Sequence, residues 1–337
     1  MIDCQFHWHP PELCEHDLGR SGHPRATRIA GGYRYELSPV ETQEFTARFI
    51  DLDAQLAHAA EASVDAVVSS PSAAGDVGAR ADLGEAKELA AMLNEAGARA
   101  QEQHTGRFHG LAVLPMQDVA AAIETLEHAI GGLGLRGVCV FSNVAGASIA
   151  SRELWPLWER VEQMGAPAFL HPTGCFRDER VAAFDMERPL GYMFDTSLAV
   201  LALIVSGVLD AYPGLRIVHP HLGGTLPFLA GRLEVYRRRG LWPGVEQPID
   251  AYLRRLHFDT VSASPAALAM AIETVGIDRL LLATDYPYWS LAEGVAFVMD
   301  NVPAEHLAGV CHGHAEALLG LDDATSGTAV DTLTSAP

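Results

Sequence analysis

Two histidines close the first apolar stretch of the chain, and their spacing suits a metal ion. The stretch reads Ile-Asp-Cys-Gln-Phe-His-Trp-His-Pro from Ile2 to Pro10. Side chains two positions apart in a strand point to the same side, so we expect His7 and His9 to present two imidazoles together. Neutral imidazole is a very common metal ligand. Taken alone, the pair fits surface histidines equally well, because the chain has 15 histidines.

Three later apolar stretches also end in residues that bind metals. They finish at three histidines and one aspartate, namely His171, His219, His221 and Asp285. The predicted ligand set is His7, His9, His171 and Asp285. Three imidazole nitrogens and one carboxylate oxygen suit Zn²⁺ first, with Mn²⁺, Fe²⁺ or Co²⁺ as alternatives.

Lysine is almost missing from the chain, which limits the chemistry of the site. Lys87 is the only lysine, and it lies in a helix-like stretch over residues 83–100 rather than at a strand end. Schiff bases and pyridoxal phosphate need an active-site lysine amine, and a carbamylated lysine that bridges two metals needs one as well. We therefore predict a single divalent metal ion.

Eight short apolar stretches alternate with helical ones, and they would have to position these residues. The predicted strands cover residues 1–7, 64–70, 108–114, 135–141, 166–171, 215–221, 257–261 and 279–285. Alternating strands and helices indicate parallel βαβ units, and eight of them predict an α/β fold, a distorted (β/α)8 TIM barrel. Barrel active sites lie at the carboxyl ends of the strands, where the candidate ligands are. A doubly wound open sheet is the alternative, but no Gly-rich phosphate turn follows the first strand.

The chain is expected to form one barrel domain over residues 1–320, with a disordered C-terminal tail over residues 321–337 that is rich in Thr, Ser, Ala and Asp. Residues 10–45 are predicted to be a long loop inserted after the first strand. Loops of this length are functional or disordered more often than not.

Composition limits the partners. The net charge of -20 argues against nucleic acid and against anionic membranes. No apolar run is expected to reach membrane-spanning length, and the N-terminus lacks a signal segment. Five cysteines without metal-type spacing suit a reducing compartment. We expect a cytoplasmic homodimer that acts on a small-molecule substrate.

The motifs resemble the metal-dependent amidohydrolase superfamily, in the branch of aminocarboxymuconate-semialdehyde decarboxylase and related non-oxidative decarboxylases. The matching segments are Asp3 with His7-Trp8-His9, Leu170-His171-Pro172, His221-Leu222-Gly223-Gly224-Thr225-Leu226-Pro227-Phe228 with Gly231-Arg232, and Ala283-Thr284-Asp285-Tyr286-Pro287. They span residues 1–320. The resemblance implies that the first three histidines and the aspartate bind the metal, and that His221 is the catalytic acid/base.

Further roles are assigned around this centre. The resemblance implies that Arg34 is the arginine that binds a carboxylate of the substrate. A guanidinium binds a carboxylate through two parallel hydrogen bonds. A solvated loop arginine is an equally good interpretation of Arg34. His219 is interpreted as an alternative ligand or as a residue that orients one, and Asp259 as a hydrogen-bond partner of a ligand or a structural residue. Backbone N–H groups after His221 are expected to disfavour its imidazolium and keep it available as a base. The branch has a substrate-site tryptophan after the fifth strand, which residues 188–192 lack.

Two functions share this predicted site. The first is a metal-dependent non-oxidative decarboxylase of a small carboxylated aromatic or muconate-type substrate, in which His221 shuttles a proton and Arg34 holds a carboxylate. The second is a hydrolase of a lactone, ester or amide, in which the metal lowers the pKa of bound water to about 7 and Asp285 or His221 takes the proton. The His-x-Gly-Gly segment and the single lysine favour the decarboxylase. The intact ligand set disfavours a non-enzymatic metal-binding protein.

Overall fold

The computed structural model describes residues 1–39, 41–80, 82–174, 184 and 186–321. Its strands are β1 (Ile2–His7), β2 (Arg25–Ile29), β3 (Gly32–Glu36), β4 (Thr42–Thr46), β5 (Ala66–Ser70), β6 (Phe108–Ala112), β7 (Gly137–Phe141), β8 (Asn143–Val144), β9 (Ala147–Ser148), β10 (Ala168–His171), β11 (Ile217–His219), β12 (His257–Asp259) and β13 (Leu280–Leu281). Its helices are α1 (Pro11–His16), α2 (Ala47–Ile50), α3 (Leu52–Glu61), α4 (Leu83–Gln103), α5 (Val119–Glu127), α6 (Trp155–Gln163), α7 (Tyr192–Val205), α8 (Val208–Ala211), α9 (Leu226–Arg238), α10 (Ile249–Leu253), α11 (Pro265–Val275), α12 (Leu291–Asn301) and α13 (His314–Leu319).

Eight parallel strands form a barrel in the order β1-β5-β6-β7-β10-β11-β12-β13. The last strand returns to the first: the backbone N–H of Cys4 donates to Leu282 O at 2.8 Å, and that of Asp285 donates to Gln5 O at 2.8 Å. The strands are buried at nearly every position, as expected where helices cover a parallel sheet. The predicted (β/α)8 barrel is confirmed, and each of its eight strands falls within a predicted stretch.

The segment after the first strand is folded rather than a long loop. It contains α1 and a three-stranded antiparallel sheet in the order β2-β3-β4. In β3, Tyr33 and Tyr35 are buried while Arg34 between them is exposed, as in a sheet that packs on one face only. The loop prediction was therefore wrong, because this short period-2 alternation was overlooked among glycines and arginines.

The stretch Glu187–Val205, which includes α7, is long and apolar enough to cross a membrane by length and composition. This corrects the expectation that no stretch reaches that length. One face of α7, with Val200, Leu203 and Ile204, packs into the main hydrophobic core. We therefore interpret α7 as a helix of the barrel's outer layer. The tail predicted over residues 321–337 lies, apart from Leu321, outside the described residues.

A buried ion pair joins the barrel to the segment from α1 to β4, which we call the insertion. Arg80, which precedes α4, donates from two guanidinium nitrogens to the two carboxylate oxygens of Asp17 at 3.0 and 2.8 Å. The two side chains are only 2% and 0% exposed, and Tyr35 also donates to Asp17. Burial raises the pKa of Asp17, but the hydrogen bonds and charge of Arg80 outweigh it, so this pKa lies below its usual value. Asp17 is therefore a buried anion that depends on Arg80.

We predict that Arg80→Met lowers the free energy of unfolding by about 3–5 kcal/mol, because it leaves the Asp17 carboxylate buried without its partner. Urea denaturation followed by circular dichroism measures the change. Arg34→Gln is the matched control; it removes an exposed arginine of the same insertion and should change stability by less than about 0.5 kcal/mol. A similarly small effect of Arg80→Met would show that the pair does not hold the insertion in place.

Candidate active site

Five polar side chains meet at the carboxyl ends of the barrel strands, and Asp285 lies at their centre. They are Gln5, His7, His171, His221 and Asp285. The Oδ1 atom of Asp285 lies 3.0 Å from His7 Nε2 and 3.3 Å from Gln5 Nε2. Its Oδ2 atom lies 3.9 Å from His221 Nε2. The rings of His7 and His171 meet edge to face at 5.1 Å. Side chains from the beginning, middle and end of the chain therefore converge.

The backbone is strained at two of these positions. Asp285 has φ 59° and His221 has φ 57°, both in the left-handed region. Such a conformation costs about 1–3 kcal/mol in a residue other than glycine and persists only where the surroundings fix it. The bond from Asp285 N–H to Gln5 O fixes the first, and the bond from His221 N–H to Asp259 Oδ1 at 2.7 Å fixes the second. The strain turns both side chains towards one point.

The proton positions on two histidines follow from their neighbours. Nδ1 of His7 lies 3.1 Å from Ser70 O, and Nδ1 of His171 lies 2.6 Å from Pro172 O. A carbonyl oxygen only accepts hydrogen bonds, so each Nδ1 carries the proton and each Nε2 of a neutral ring has a free lone pair. Metal-bound histidines are typically held in this way.

These lone pairs make the cluster suitable for a cation. His7 Nε2 faces a carboxylate oxygen of Asp285 at 3.0 Å, and two acceptors at this distance need a proton or a metal ion to bind them. Burial raises the pKa of Asp285, but His221 and His7 lower it more, so this pKa lies well below its usual value. The pKa of His171 falls to about 3, mainly through burial. An anionic carboxylate and a neutral imidazole are the forms that bind a divalent metal.

Two carboxylates raise the pKa of His221. Burial lowers its pKa, but Asp285 and Asp259 raise it more, so the net pKa is raised. The helix N-terminus that was expected to lie beside His221 and to disfavour its imidazolium is not there. His221 and Leu222 lie in a left-handed turn, and α9 begins only at Leu226. Two carboxylates, rather than a helix N-terminus, set its charge.

His9 lies outside this cluster, which corrects its assignment as a ligand. Strand β1 ends at His7, so the alternation does not extend to His9. Its Nε2 lies 2.9 Å from Ser72 Oγ, and its ring packs on Phe45 at 4.2 Å. Within the described part of the chain, no hydrogen bond of His9 reaches Asp285. The same alternation, counted backwards from His7, would have found Gln5.

Arg34 does not reach the cluster either. Its side chain is 54% exposed and lies 3.3 Å from Glu44 on the neighbouring strand. It extends from the outer face of β3, whereas Tyr35 on the inner face lines the cavity above Asp285. Among the described residues, the arginine that lines this cavity is Arg188. It lies in residues 188–192, the stretch that lacks the substrate-site tryptophan of the decarboxylase branch.

Two further predictions have different outcomes. His219 is fully buried with its ring edge to face against Phe258, and neither ring nitrogen has a hydrogen-bond partner among the described residues. Its predicted role as a ligand or as a residue that orients one stays a prediction, because no hydrogen bond among the described residues joins its ring to the cluster. Asp259 accepts hydrogen bonds from the backbone N–H groups of His221 and Val261. It therefore positions the turn that carries His221.

The cluster opens into a cavity of about 320 Å³. Aromatic and apolar side chains form much of its wall, including Tyr35, Phe45, Tyr192, Met193, Tyr288 and Trp289. A space of this size and lining suits a single aromatic ring with a few polar substituents. The insertion contributes Tyr35 and Phe45, so it closes one side of the cavity.

A second group of metal-type side chains lies on the outside of the barrel. His16, Asp17 and Glu85 bring three ligand atoms within 4.8 Å of one another. Arg80 pairs with both carboxylates, and Arg20 pairs with Glu85. Their negative charge is already balanced by these arginines, so this group is a poorer cation site than the cluster around Asp285.

Comparisons with known proteins agree with this geometry. A family model described as amidohydrolase matches residues 2–321. The chain is 31% identical over 248 residues to 2-amino-3-carboxymuconate-6-semialdehyde decarboxylase of Dictyostelium discoideum, covering 71% of this chain and 68% of that protein. It is 29% identical over 217 residues to 6-methylsalicylic acid decarboxylase of Penicillium expansum, covering 62% of this chain and 67% of that protein. The fold is similar to a crystal structure of a dihydroxybenzoic acid decarboxylase from Polaromonas sp. JS666 with bound manganese and 2-nitroresorcinol, with a TM-score of 0.80, 23% identity, and coverage of 97% and 98% of the two chains.

We predict that His7→Ala and His171→Ala lose a bound divalent metal, whereas His9→Ala keeps it, because the first two belong to the cluster and have free Nε2 lone pairs, while His9 Nε2 lies on Ser72. Elemental analysis after identical metal loading measures the content, and one metal ion per chain is expected in the unchanged protein. Loss of metal from His9→Ala to the same extent as from His171→Ala would restore His9 to the ligand set.

Proposed function

Since the chain belongs to the amidohydrolase family, we propose that it is a metal-dependent non-oxidative decarboxylase of a small carboxylated aromatic substrate or a muconate-type substrate. The observation that carries this proposal is the position of His221, which lines an aromatic-walled cavity with its Nε2 atom 3.9 Å from Asp285 in the metal-type cluster. Decarboxylation at a ring carbon needs a proton donor at that carbon, and His221 is the buried cation-forming group that faces the cavity. Relatives named as decarboxylases of aromatic acids support the same reaction.

The reaction breaks the bond between a ring carbon and its carboxyl carbon. The electron pair of that bond remains on the ring carbon, a proton from His221 Nε2 joins it, and CO₂ leaves. His221 then recovers a proton from water. The negative charge of Asp285, whose Oδ2 atom lies 3.9 Å from His221 Nε2, favours the imidazolium, and the Gln5 amide donates to Oδ1 of the same carboxylate at 3.3 Å. A positioned general acid of this kind contributes about 10²–10⁴-fold to the rate.

His7, His171 and Asp285 are the residues that would hold the divalent metal, which would supply positive charge to orient the substrate and to stabilise negative charge that develops on it. We propose zinc, because imidazole and carboxylate ligands together suit it. Manganese is the alternative, because the structure from Polaromonas contains it. Gln5 offers a neutral amide oxygen at the edge of the same group.

Hydrolysis is supported less well by this site. A metal-activated water must lose a proton to a nearby base, whereas Asp285 and Asp259 raise the pKa of His221 and so shift it towards the form that cannot accept this proton. Asp285 is a weak base, because its pKa lies well below the usual value. The same features favour donation of a proton to carbon.

We also propose that the protein is a cytoplasmic homodimer. Apolar side chains are exposed on two adjacent helices: Leu198 of α7 is 56% exposed and Phe228 of α9 is 78% exposed. The helices are joined by the bond from Thr225 N–H to Ser197 Oγ at 2.8 Å. A second copy that covers this face would remove the apolar surface from water.

The test of the proposed function is a screen of the metal-loaded protein against hydroxybenzoates, muconates and lactones, with release of CO₂ and release of acid measured separately. In D₂O the decarboxylated product should carry one deuterium at the carbon that lost CO₂. Acid release from lactones or esters, without CO₂ from any carboxylate, would replace the decarboxylase with a hydrolase.

We predict that His221→Gln lowers kcat by about 10²–10⁴-fold while the metal content stays unchanged, because the substitution removes a proton donor and no ligand. Steady-state kinetics on the substrate returned by the screen, with elemental analysis of the same sample, measures both. His171→Ala is the comparison and should lose metal and turnover together. A similar loss of metal from His221→Gln would identify His221 as a ligand.

We predict that removal of the metal with a chelator abolishes CO₂ release and lowers the Tm, because a metal at 100 times its Kd adds about 2.7 kcal/mol to the free energy of unfolding. Adding zinc or manganese back should restore both properties, and the metal that restores the higher kcat is the functional one. Chelation that leaves turnover and Tm unchanged would contradict a metal-dependent reaction.

A further inference from the structure

Arg188 lies on the wall of the cavity that also contains His221 and Asp285, yet the proton transfer makes no use of it. It belongs to the helical turn Glu187–Gly191, which precedes α7. Its side chain is 45% exposed, as expected for a group at a cavity mouth. Among the described residues it is the arginine that lines this cavity. The guanidinium is therefore placed where a bound substrate could reach it.

Glu41 orients this arginine without using all of its hydrogen-bond donors. Two guanidinium nitrogens of Arg188, Nε and one terminal nitrogen, lie 3.2 Å from Glu41 Oε1. Tyr192 also donates to that oxygen, at 3.0 Å. A guanidinium has five N–H groups, so the edge formed by its two terminal nitrogens still has donors to offer. Glu41 is 13% exposed and comes from the insertion, so the ion pair joins the insertion to the turn before α7.

The remaining edge has the geometry that recognises a carboxylate. A planar guanidinium binds a carboxylate through two parallel hydrogen bonds, and a fixed guanidinium loses less conformational freedom on binding. The leaving carboxylate of the substrate belongs beside His221 and the metal-type cluster. Arg188 is therefore available to a different group on the same ring.

We propose that Arg188 binds a second carboxylate of the substrate, one that is retained in the product, so that the preferred substrates are aromatic dicarboxylates. Glu41 and Tyr192 are positioning residues for Arg188. The proposal rests on the proposed function for the identity of the cavity as the substrate site. Binding of unreactive acids tests it without any turnover.

The test compares benzoate with isophthalate and terephthalate, which carry a second carboxylate at two different ring positions. Isothermal titration calorimetry on the metal-loaded protein measures the three Kd values. At least one dicarboxylate should bind about tenfold or more tightly than benzoate, as expected for an additional charge-assisted contact. Arg188→Gln should remove this advantage and leave benzoate binding unchanged. Arg34→Gln is the matched control, an exposed arginine on the outer face of the insertion, and it should leave all three affinities unchanged.

Two results would overturn the proposal. One is equal affinity for benzoate and both dicarboxylates in the unchanged protein. The other is that Arg188→Gln weakens all three acids by the same factor, which would assign Arg188 to the carboxylate they share. A dicarboxylate advantage that depends on Arg188, in a protein that releases no CO₂ in the screen, would keep this subsite and reject the decarboxylase.

Discussion

The site depends on one forced contact, between the Asp285 carboxylate and the lone pair of His7 Nε2 at 3.0 Å. Ser70 O holds the proton on the opposite ring nitrogen, and the bond between Asp285 N–H and Gln5 O holds the aspartate in a left-handed backbone conformation. Both restraints lie where the last barrel strand returns to the first. Closure of the barrel therefore creates a position where a positive charge is required, and His221 and His171 surround it.

Chemistry and selectivity come from different parts of the chain. The strand ends provide His221, the proposed proton donor, and the metal-type cluster, all of them buried or nearly so. The insertion and the turn before α7 provide the far wall, through Tyr35, Glu41 and Arg188. The insertion is joined to the barrel by the Arg80–Asp17 pair, whose strength comes from complete burial. Because of this division, substitutions in the cavity wall can change which substrate binds while the reaction remains the same.

The barrel could be predicted from the sequence because each buried strand is a compact apolar run, and the order of eight such runs with intervening helices admits few folds. His171, His221 and Asp285 followed from their positions at the ends of those runs. His9 was misplaced because β1 ends two residues before it, so the alternation of the strand does not reach it. Arg34 was misplaced because the face of β3 that points inward carries its neighbours Tyr33 and Tyr35 instead. Gln5 was missed because an amide is not an obvious ligand. Arg188 was missed because its role depends on a pair with Glu41, 147 residues away.

Anomalous diffraction from crystals of the zinc- or manganese-loaded protein tests the central claim most directly. We expect one anomalous peak per chain, about 2.0–2.2 Å from His7 Nε2, His171 Nε2 and an Asp285 oxygen, the distances typical of metal–nitrogen and metal–carboxylate bonds. His221 should lie outside bonding distance, and His9 should remain on Ser72. A peak at His16, Asp17 and Glu85 instead, or a metal bound by His9, would contradict the claim that the contact between Asp285 and His7 marks the metal site.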